Sequence, residues 1–420
     1  MYALVDGNNF YCSCERVFNP KLNGRPVIVL SNNDGCAIAR SDEAKALGIG
    51  MGTPAFMIEP LIRQYQVAVF SSNYTLYGDM SDRMMQILGG FCPRMEIYSI
   101  DETFLDLHDL PYADLLQLAL NMRRRVLRYI GIPTSVGIAP TKTLAKMANR
   151  YAKKKCRDTG VFWAANDQLI HEMLAATPVG DIWGIGSQYA AFLKRNGFET
   201  AEQFATAPED WVRGNMSVVG LRLLHELRGM PSIQPEFEPA DKKNIRTSRS
   251  FGSPLTTHAD VAEALANFAA TCAAKLRTQK SCCRMLEVFL ETNPHNREQP
   301  QYMRSIRIKL ERASNNTAEI IKSALNGLRM IYKPNYQFKK TGLIAMDLIP
   351  ETEVQTSLFD TANSIRDKRM MDTLDAINKA MGKETLRMAT QGFEKRYRLR
   401  AEHLSQAYTT NMQQLLKINN

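Results

Sequence analysis

EIYSIDETFLDL, residues 96–107, is the stretch that decides the fold, because its apolar, β-branched and aromatic residues predict strand while two adjacent acids interrupt them. Neighbouring residues on a strand point to opposite faces, so one continuous strand cannot bury both Asp101 and Glu102 at low cost. Either one carboxylate faces solvent or positive charge lies beside the pair. We expect a hairpin that turns near residues 99–101, which would release the two acids from opposite faces of one strand.

A third acid, Asp6, ends the apolar opening strand YALVD in the same α/β region. Three carboxylates on neighbouring strands of an apolar sheet would repel one another and raise their pKa values unless a cation were present. Oxygen ligands of this kind suit Mg²⁺, which proteins usually hold with one or two carboxylates together with substrate phosphates. The pattern therefore indicates phosphoryl or nucleotidyl transfer. The alternative for each acid taken singly is a strand end that faces water.

Composition indicates a multidomain protein that binds a polyanion. The chain has 420 residues, which predicts several domains, and a net charge of +10 with pI near 9.1. Basic runs occur at residues 123–125, 153–155 and 395–400. The first of these lies in the amphipathic segment LLQLALNMRRRVLRYI, where a solvated helix face is the simpler interpretation.

Nothing in the sequence predicts export or a membrane span. The start MYALVDGNNF lacks a basic region followed by an apolar one, and no run of about 18 apolar residues occurs. The eight cysteines show no paired CxxC spacing, so reduced structural thiols are expected. We expect a cytoplasmic protein.

The order of patterns along the chain predicts an α+β multidomain fold. Strands and helices alternate up to about Trp163, and short helices broken by glycine follow from Ile170 to about Met230. The charged, proline-bearing segment IQPEFEPADKKNIRTSRSFGSPL suggests a linker into a new domain. A βαββαβ-like unit of about 110 residues comes next, and a polar, basic tail with weak helical periodicity follows Pro350.

Six motifs in order, YALVDGNNFYCSCE, VLSNNDGCAIAR, FSSNYTLY, YSIDE, VGIAPTKTLAKMAN and WGIG, closely resemble the Y-family translesion DNA polymerases. The resemblance extends over essentially the whole chain. It implies a right-hand polymerase with a palm at 1–19 and 63–168, small fingers at 20–62 and a helical thumb with a helix-hairpin-helix at 169–235. A linker at 236–242, a little finger at 243–350 and a clamp-binding and partner-binding tail at 351–420 complete the expected organisation.

The resemblance also implies a two-metal site. In this family two ions about 3.5 to 4 Å apart activate the primer hydroxyl and stabilise the leaving pyrophosphate. Matched by motif, Asp6 and Asp101 would bridge two Mg²⁺ ions, Glu102 would complete the primer-side ion, and the backbone carbonyl of Gly7 would be a further ligand. Asp101 is then expected to matter more than Glu102.

Residues for the incoming dNTP follow from the same match. Tyr11 stands where the family places an aromatic gate against the 2′-hydroxyl, and Phe10 beside it is assigned to the nucleotide site. Lys45 and Lys153 match positions that hold the triphosphate. The sequence departs from many relatives at Lys45, where arginine is frequent, and at Asp42, where tyrosine is frequent; Asp42 is left without a role.

Further residues are implied for primer-template DNA and for protein partners. Gly184 and Gly186 would offer backbone N–H groups to a DNA phosphate, and Arg246 and Arg249 would grip the template backbone. QTSLF resembles the peptide that binds the β sliding clamp, through Gln355, Leu358 and Phe359. The tail implies association with a UmuD′ dimer and activation by RecA.

The resemblance thus implies an error-prone polymerase of the SOS DNA-damage response, error-prone because its fingers are small. A catalytically inactive DNA-binding scaffold in damage tolerance is the alternative, and the joint presence of the three acids argues against it. A cyclase on a similar palm would not account for the helix-hairpin-helix, the basic linker or QTSLF.

Overall fold

The computed structural model describes residues 1–109, 114–355, 364–394 and 397–416. The chain divides into two compact units: unit 1 is Met1–Pro239 with Ala401–Asn420, and unit 2 is Ala240–Arg400. The C-terminal tail therefore contributes to both units. Within the described ranges, no helix combines the length and apolar character that a membrane crossing requires.

The elements of unit 1, in chain order, are β1 (Tyr2–Gly7), α1 (Phe10–Phe18), β2 (Val27–Leu30), β3 (Ala37–Arg40), α2 (Asp42–Ala46), α3 (Ala55–Tyr65), β4 (Ala68–Ser71), α4 (Tyr74–Gly89), β5 (Met95–Ile97), β6 (Glu102–Asp106), α5 (Leu115–Ile130), β7 (Thr134–Ala139), α6 (Lys142–Lys155), β8 (Val161–Trp163), α7 (Asp167–Ala175), α8 (Ser187–Arg195), α9 (Ala201–Ala205) and α10 (Glu209–Leu227).

The main sheet of unit 1 has the order β5-β6-β1-β7-β8, with β1 buried along its whole length. Alternate residues of β1 enter two different cores. Ala3 and Val5 pack with residues of α1, α4 and α5, whereas Tyr2 and Leu4 pack with residues of α6 and the helices that follow it. The even-numbered positions of β1 therefore face α6, and Asp6 is the next even-numbered position.

The hairpin predicted at the opening stretch is confirmed. β5 and β6 pair antiparallel, and the chain turns between Ile97 and Glu102. Asp101 lies in the turn and Glu102 begins the strand, so the two acids do not occupy successive positions of one straight strand.

A second sheet, in the order β3-β2-β4, has its own small core around Ile28, Ile49 and Ile58. The apolar segments RPVIVLS and VAVFSSN predict strands, which are confirmed as β2 and β4, and the two strands pair in parallel. Strand β3 and helix α3 were not predicted. The four residues of β3 are a buried Ala37 followed by three half-buried residues, which is too short to show a period.

Helices α7–α10 were predicted as short helices broken by glycine, and one detail of that prediction was wrong. α10 runs across Gly214 and Gly220, and the break inside it falls at Ser217, which has φ 60°. A Cβ at Gly220 would approach Met216 Cβ to 2.3 Å, so this glycine serves close packing and not a helix end.

Unit 2 contains β9 (Ile245–Leu255), α11 (His258–Thr278), β10 (Ser281–Thr292), β11 (Met303–Ser314), α12 (Thr317–Ile331), β12 (Phe338–Pro350) and α13 (Ser364–Met381). The βαββαβ prediction is confirmed, and the strands form one antiparallel sheet in the order β11-β10-β12-β9. The linker prediction was wrong for its second half, because IRTSRSFGSPL is the edge strand β9. Its alternating polar residues leave one side exposed, which made it resemble a linker.

Candidate active site

Asp6 and Glu102 are direct cross-strand partners in the β1–β6 pair. Leu4 and Phe104, two residues further along each strand, belong to the core on the α6 side, so both carboxylates lie on that same face of the sheet. Asp101 is tied to the same corner, since its carbonyl accepts a hydrogen bond from Gly7 N–H at 2.8 Å. The structure thus brings all three predicted acids to one end of the β1–β6 pair.

Two lysines of α6 neutralise this corner. Lys153 Nζ lies 2.6 Å from Asp6 Oδ1, and Lys146 Nζ lies 2.7 Å from Glu102 Oε2. Seven residues are about two helical turns, so both lysines project from one face of α6. Lys146 was missed at the sequence level; its spacing of seven from Lys153, on the same face of a predicted helix, was the available signal.

Burial makes Asp6 an unusual carboxylate. Its removal from solvent raises its pKa to about 7, and the neighbouring Glu102 carboxylate adds to the increase although the ion pair with Lys153 opposes it. A single lysine thus compensates the charge of Asp6 only in part, as expected of a carboxylate that needs more positive charge. Asp101, another acid of this corner, accepts a hydrogen bond from Ser99 Oγ at 2.6 Å.

A cavity of about 230 Å³ opens beside these groups, lined by Asp6, Glu102, Lys146, Lys153 and Trp183 among others. Within the part of the chain that the structure describes, no three acidic, histidine or cysteine side chains have a geometry that could hold a metal. The donor chemistry nevertheless fits a hard divalent cation, because the corner offers carboxylate oxygens on two paired elements and its positive charge comes from mobile lysine side chains.

Gly7 links this corner to the next helix. A Cβ at Gly7 would lie 2.8 Å from Phe10 Cδ2, so the chain can turn here only because position 7 lacks a side chain. Phe10 itself is 3% exposed and packs in the main core. The Phe10 ring is therefore buried against the strand end, and the assignment of Phe10 to the nucleotide site stays a prediction.

Tyr11, the predicted gate, is half-buried and its ring stacks on the ring of Tyr77 with centroids 4.4 Å apart. Tyr74 approaches edge-on at 6.3 Å. Burial raises the pKa of Tyr11 to about 12, so its hydroxyl is neutral. Tyr11 therefore stands on a fixed aromatic support.

Lys45 belongs to a small cluster that also gives Asp42 a role. Lys45 Nζ lies 2.5 Å from Asn9 Oδ1 and 2.9 Å from Asp42 Oδ1, which also accepts a hydrogen bond from Asn9. Partial burial raises the pKa of Asp42, but the hydrogen bonds from Lys45 and Asn9 outweigh it and hold that pKa below its ordinary value. Asp42 thus orients Lys45 next to the turn that follows Asp6.

Gly184 and Gly186 precede helix α8 as predicted. Gly184 has φ +93°, in the left-handed region that favours glycine, and Gly186 is the N-cap of α8 without a side-chain cap. The first N–H groups of an α-helix have no intrahelical acceptor, so this end of α8 is suited to bind an anion.

Arg246 and Arg249 are both exposed on β9, but they lie on opposite faces of the sheet. Arg246 shares its face with Phe289, whose ring centroid is 4.6 Å from the guanidinium carbon. Arg249 shares its face with Thr247 and Phe251, toward the helices. The structure thus does not bring the two predicted DNA contacts together.

The remaining predictions concern the tail. Gln355 is exposed, whereas Leu358 and Phe359 lie outside the described residues, as do the first two residues of the basic run 395–400.

Models of known protein families match three parts of the chain. The family model described as impB/mucB/samB family matches residues 5–150, and the model of that family's C-terminal domain matches residues 242–358. Protein UmuC of Salmonella typhimurium is 40% identical over 422 positions, covering 100% of both chains. The chain belongs to the impB/mucB/samB family. A further family model, a domain of unknown function (DUF4113), matches residues 368–418.

A further relative and a solved structure are also similar to this chain. DNA polymerase IV 1 of Bacillus subtilis is 30% identical over 260 residues, covering 61% of this chain and 60% of that one. A solved Y-family DNA polymerase chimera of Dbh and Dpo4 superposes with a TM-score of 0.64 at 19% identity, covering 83% of this chain and 99% of that one. The α+β multidomain prediction is confirmed. This family member is a UmuC-like, Y-family translesion DNA polymerase, and the inactive-scaffold alternative is not favoured.

Proposed function

We propose that this polymerase transfers nucleotides through a two-metal site formed by Asp6, Asp101, Glu102 and the Gly7 carbonyl, with Mg²⁺ as the metal. The observation that carries the proposal is the direct pairing of Asp6 with Glu102 on the face of the sheet that α6 covers with lysines. When bound, the ions would lower the pKa of the primer hydroxyl and neutralise charge on the leaving pyrophosphate.

The protein groups have separate roles in this proposal. Asp6 and Asp101 would hold both ions and Glu102 would hold one of them. Lys153 is 2.6 Å from Asp6 and 36% exposed, so its Nζ is placed to leave that carboxylate and contact the triphosphate. Lys45, oriented by Asp42, offers a second positive charge to the triphosphate from α2.

Tyr11 selects the sugar in this proposal. Its ring is fixed against Tyr77 and takes the space that a 2′-hydroxyl would need, so deoxynucleotides are chosen by exclusion. Its hydroxyl, kept neutral, adds no charge near the triphosphate.

The template backbone is contacted at two places. The open N-terminus of α8, after Gly186, takes one phosphate. In unit 2 the sheet face opposite α11 and α12 carries Arg246, Arg307, Lys309 and Lys340 around Phe289. Such contacts hold the duplex without selecting a sequence.

We extend the proposal to biology and domain organisation from the resemblance and the UmuC relationship. The palm, fingers, thumb and little finger have the bounds given above, and the enzyme acts in the cytoplasm during the SOS response. A UmuD′ dimer, RecA and, through residues 355–359, the β sliding clamp are its proposed partners.

Primer extension with Mg²⁺ on damaged and undamaged templates, with and without clamp, UmuD′ and RecA, tests the site. We expect Asp101→Asn to abolish extension, and Glu102→Gln to reduce it by a smaller factor because Glu102 serves one ion. Asp82→Asn, at an exposed acid of α4, is the matched control and should extend normally. Equal extension by wild type and Asp101→Asn would refute the metal assignment.

A further inference from the structure

Residues 402–408, here called the return segment, bring the C-terminal tail back onto unit 1. The segment lies within the match to the domain of unknown function. Tyr408 stacks on Phe18 at the end of α1, with ring centroids 4.8 Å apart and planes 11° apart. The end of the chain thus packs on the helix that carries Tyr11.

Backbone hydrogen bonds fix the start of the return segment on the β3-β2-β4 sheet. Ser71, the last residue of β4, donates its N–H to the His403 carbonyl at 3.0 Å and accepts the His403 N–H on Oγ, also at 3.0 Å. Asp34 accepts from Glu402 N–H at 2.8 Å and from Ser71 Oγ at 2.6 Å. Because these hydrogen bonds involve the main chain of Glu402 and His403, they indicate that the return segment is attached to the sheet in one specific conformation.

The N-terminus of α4 holds the middle of the return segment. Asn73, its N-cap, is 5% exposed and accepts from Leu76 N–H. Its Nδ2 group donates to the Ser405 carbonyl at 3.1 Å, to Ser405 Oγ at 3.0 Å and to the Gln406 carbonyl at 3.2 Å. One buried amide thus both caps α4 and places Ser405.

Ser405 completes the shell of a buried carboxylate. Glu15 of α1 is 2% exposed, and its Oε1 accepts hydrogen bonds from Ser405 Oγ at 2.9 Å and from Tyr77 Oη at 2.7 Å. Burial raises the pKa of Glu15, while these two hydrogen bonds oppose the increase. A buried carboxylate that loses a donor must rearrange or take up a proton, so Ser405 influences where Tyr77 is held.

Tyr77 connects this shell to the predicted sugar gate. Its side chain is fully buried, and its ring lies 15° from parallel to the ring of Tyr11 at 4.4 Å. The Tyr77 hydroxyl is anchored by Glu15 at one end of the ring, so rotation or translation of that ring would move the surface on which Tyr11 rests.

We propose that the return segment is part of the sugar gate, with Ser405 and Glu15 as positioning residues that hold Tyr77 and, through it, Tyr11. The inference rests on the proposed role of Tyr11. It gives a function to the end of the domain of unknown function: that segment sharpens discrimination between deoxyribonucleotides and ribonucleotides.

The test measures kcat and KM for a dNTP and for the matching rNTP with the full chain, under the same conditions as primer extension. Ser405→Ala should raise the rNTP-to-dNTP ratio of kcat/KM about threefold to tenfold, the range expected from loss of the hydrogen bond that the Ser405 hydroxyl donates to Glu15. The dNTP value itself should stay within about twofold of wild type. Ser405→Thr keeps a hydroxyl and should restore the wild-type ratio, and Thr410→Ala is the control at an exposed hydroxyl of the same tail.

Tyr77→Phe keeps the ring and removes the anchored hydroxyl, so it should relax the ratio similarly, and the double variant with Ser405→Ala should be no worse than either alone. A segment that only adds stability would lower dNTP and rNTP use together and leave the ratio unchanged, which overturns the inference. Tyr11→Ala distinguishes the proposed role of Tyr11 from the proposed role of the return segment. If it leaves sugar selection unchanged, the gate itself is wrong; if it relaxes selection while Ser405→Ala does not, only the role of the return segment is wrong.

Discussion

At the scale of single residues, Asp6 is a carboxylate that burial keeps in an electrostatically unfavourable state when it is charged. The pKa of an ordinary aspartate is near 3.8, and burial raises that of Asp6 to about 7. The folded protein therefore binds this proton more tightly than the unfolded chain does. Stability from this group is fully present below about pH 4 and is lost as the pH rises toward about 7.

Because the raised pKa of Asp6 makes stability fall as the pH rises, the metal-free protein should be stabilised by removal of this carboxylate. Asp6→Asn removes the buried charge, so in EDTA the variant should unfold at a higher temperature than wild type at about pH 8, by about 3 °C or more. The difference should shrink toward about pH 5, where wild-type Asp6 is protonated. Thermal unfolding followed by circular dichroism at the two pH values measures it, with Asp82→Asn as the exposed control. A variant that is less stable than wild type at about pH 8 would contradict the assignment.

Sequence reasoning located the acids but not their counter-charges. Asp6 and Glu102 could be predicted together because residues at the ends of adjacent strands meet. Lys146 was missed although its spacing from Lys153 placed it on the same helix face, since its role depends also on which face of the sheet α6 covers. The burial of Phe10 was missed for a related reason: a turn after Gly7 sends residue 10 into the core and residue 11 outward.

At the scale of elements, helix α6 contributes to the candidate site because a glycine in strand β7 allows the helix to pack closely on the sheet. A Cβ at Gly137 of β7 would lie 2.0 Å from Asn149 N, so the helix backbone rests directly on the strand. Asn149 Nδ2 then donates to the Ser135 and Leu4 carbonyls at 2.7 and 3.3 Å. This contact sets the distance between α6 and the sheet. It therefore determines that the side chains of Lys146 and Lys153 can contact the carboxylates.

Strand β9 offers an internal control for DNA binding, because Arg246 and Arg249 have the same side chain on opposite faces. We expect Arg246→Ala to weaken primer-template binding about threefold to tenfold and to reduce the slope of log affinity against log salt by about one, since one phosphate contact is lost. Arg249→Ala should stay within about twofold of wild type. Fluorescence anisotropy across a salt series measures both variants. Equal losses would show that the sheet does not present one face to DNA.

Elements with a long, clear hydrophobic period were predictable from the sequence, whereas short strands and strands with one exposed side were not. The βαββαβ order of unit 2 followed from alternating strands and amphipathic helices. Strand β9 was taken for linker because polar serines and arginines separate its buried residues, and only pairing with β12 makes it a strand. Neighbouring strands supply that information and the local sequence does not.

At the scale of the whole molecule, the chain leaves unit 1 after Pro239, builds unit 2, and returns to unit 1 from Ala401. No local pattern predicts such a return, because the polar tail lacks a strong period and its contacts are made with residues more than 300 positions away. The net charge of +10 did predict a polyanionic partner, since charge balance depends on composition and not on topology.

The return makes the tail a structural part of unit 1, which leads to a prediction about truncation. A chain ending at Arg400 removes the Tyr408 stack on Phe18, one donor to Glu15 and three acceptors of Asn73. We therefore expect faster amide hydrogen exchange in α1 and in the first turn of α4, where those contacts end.

Exchange in α11, a core helix of unit 2, is the internal reference and should not change. Ser405→Ala, which removes the donor to Glu15 and one of the three acceptors of Asn73, should give a smaller change confined to the same peptides. Unaltered exchange in α1 and α4 of the truncated chain would show that the tail rests on unit 1 without supporting it.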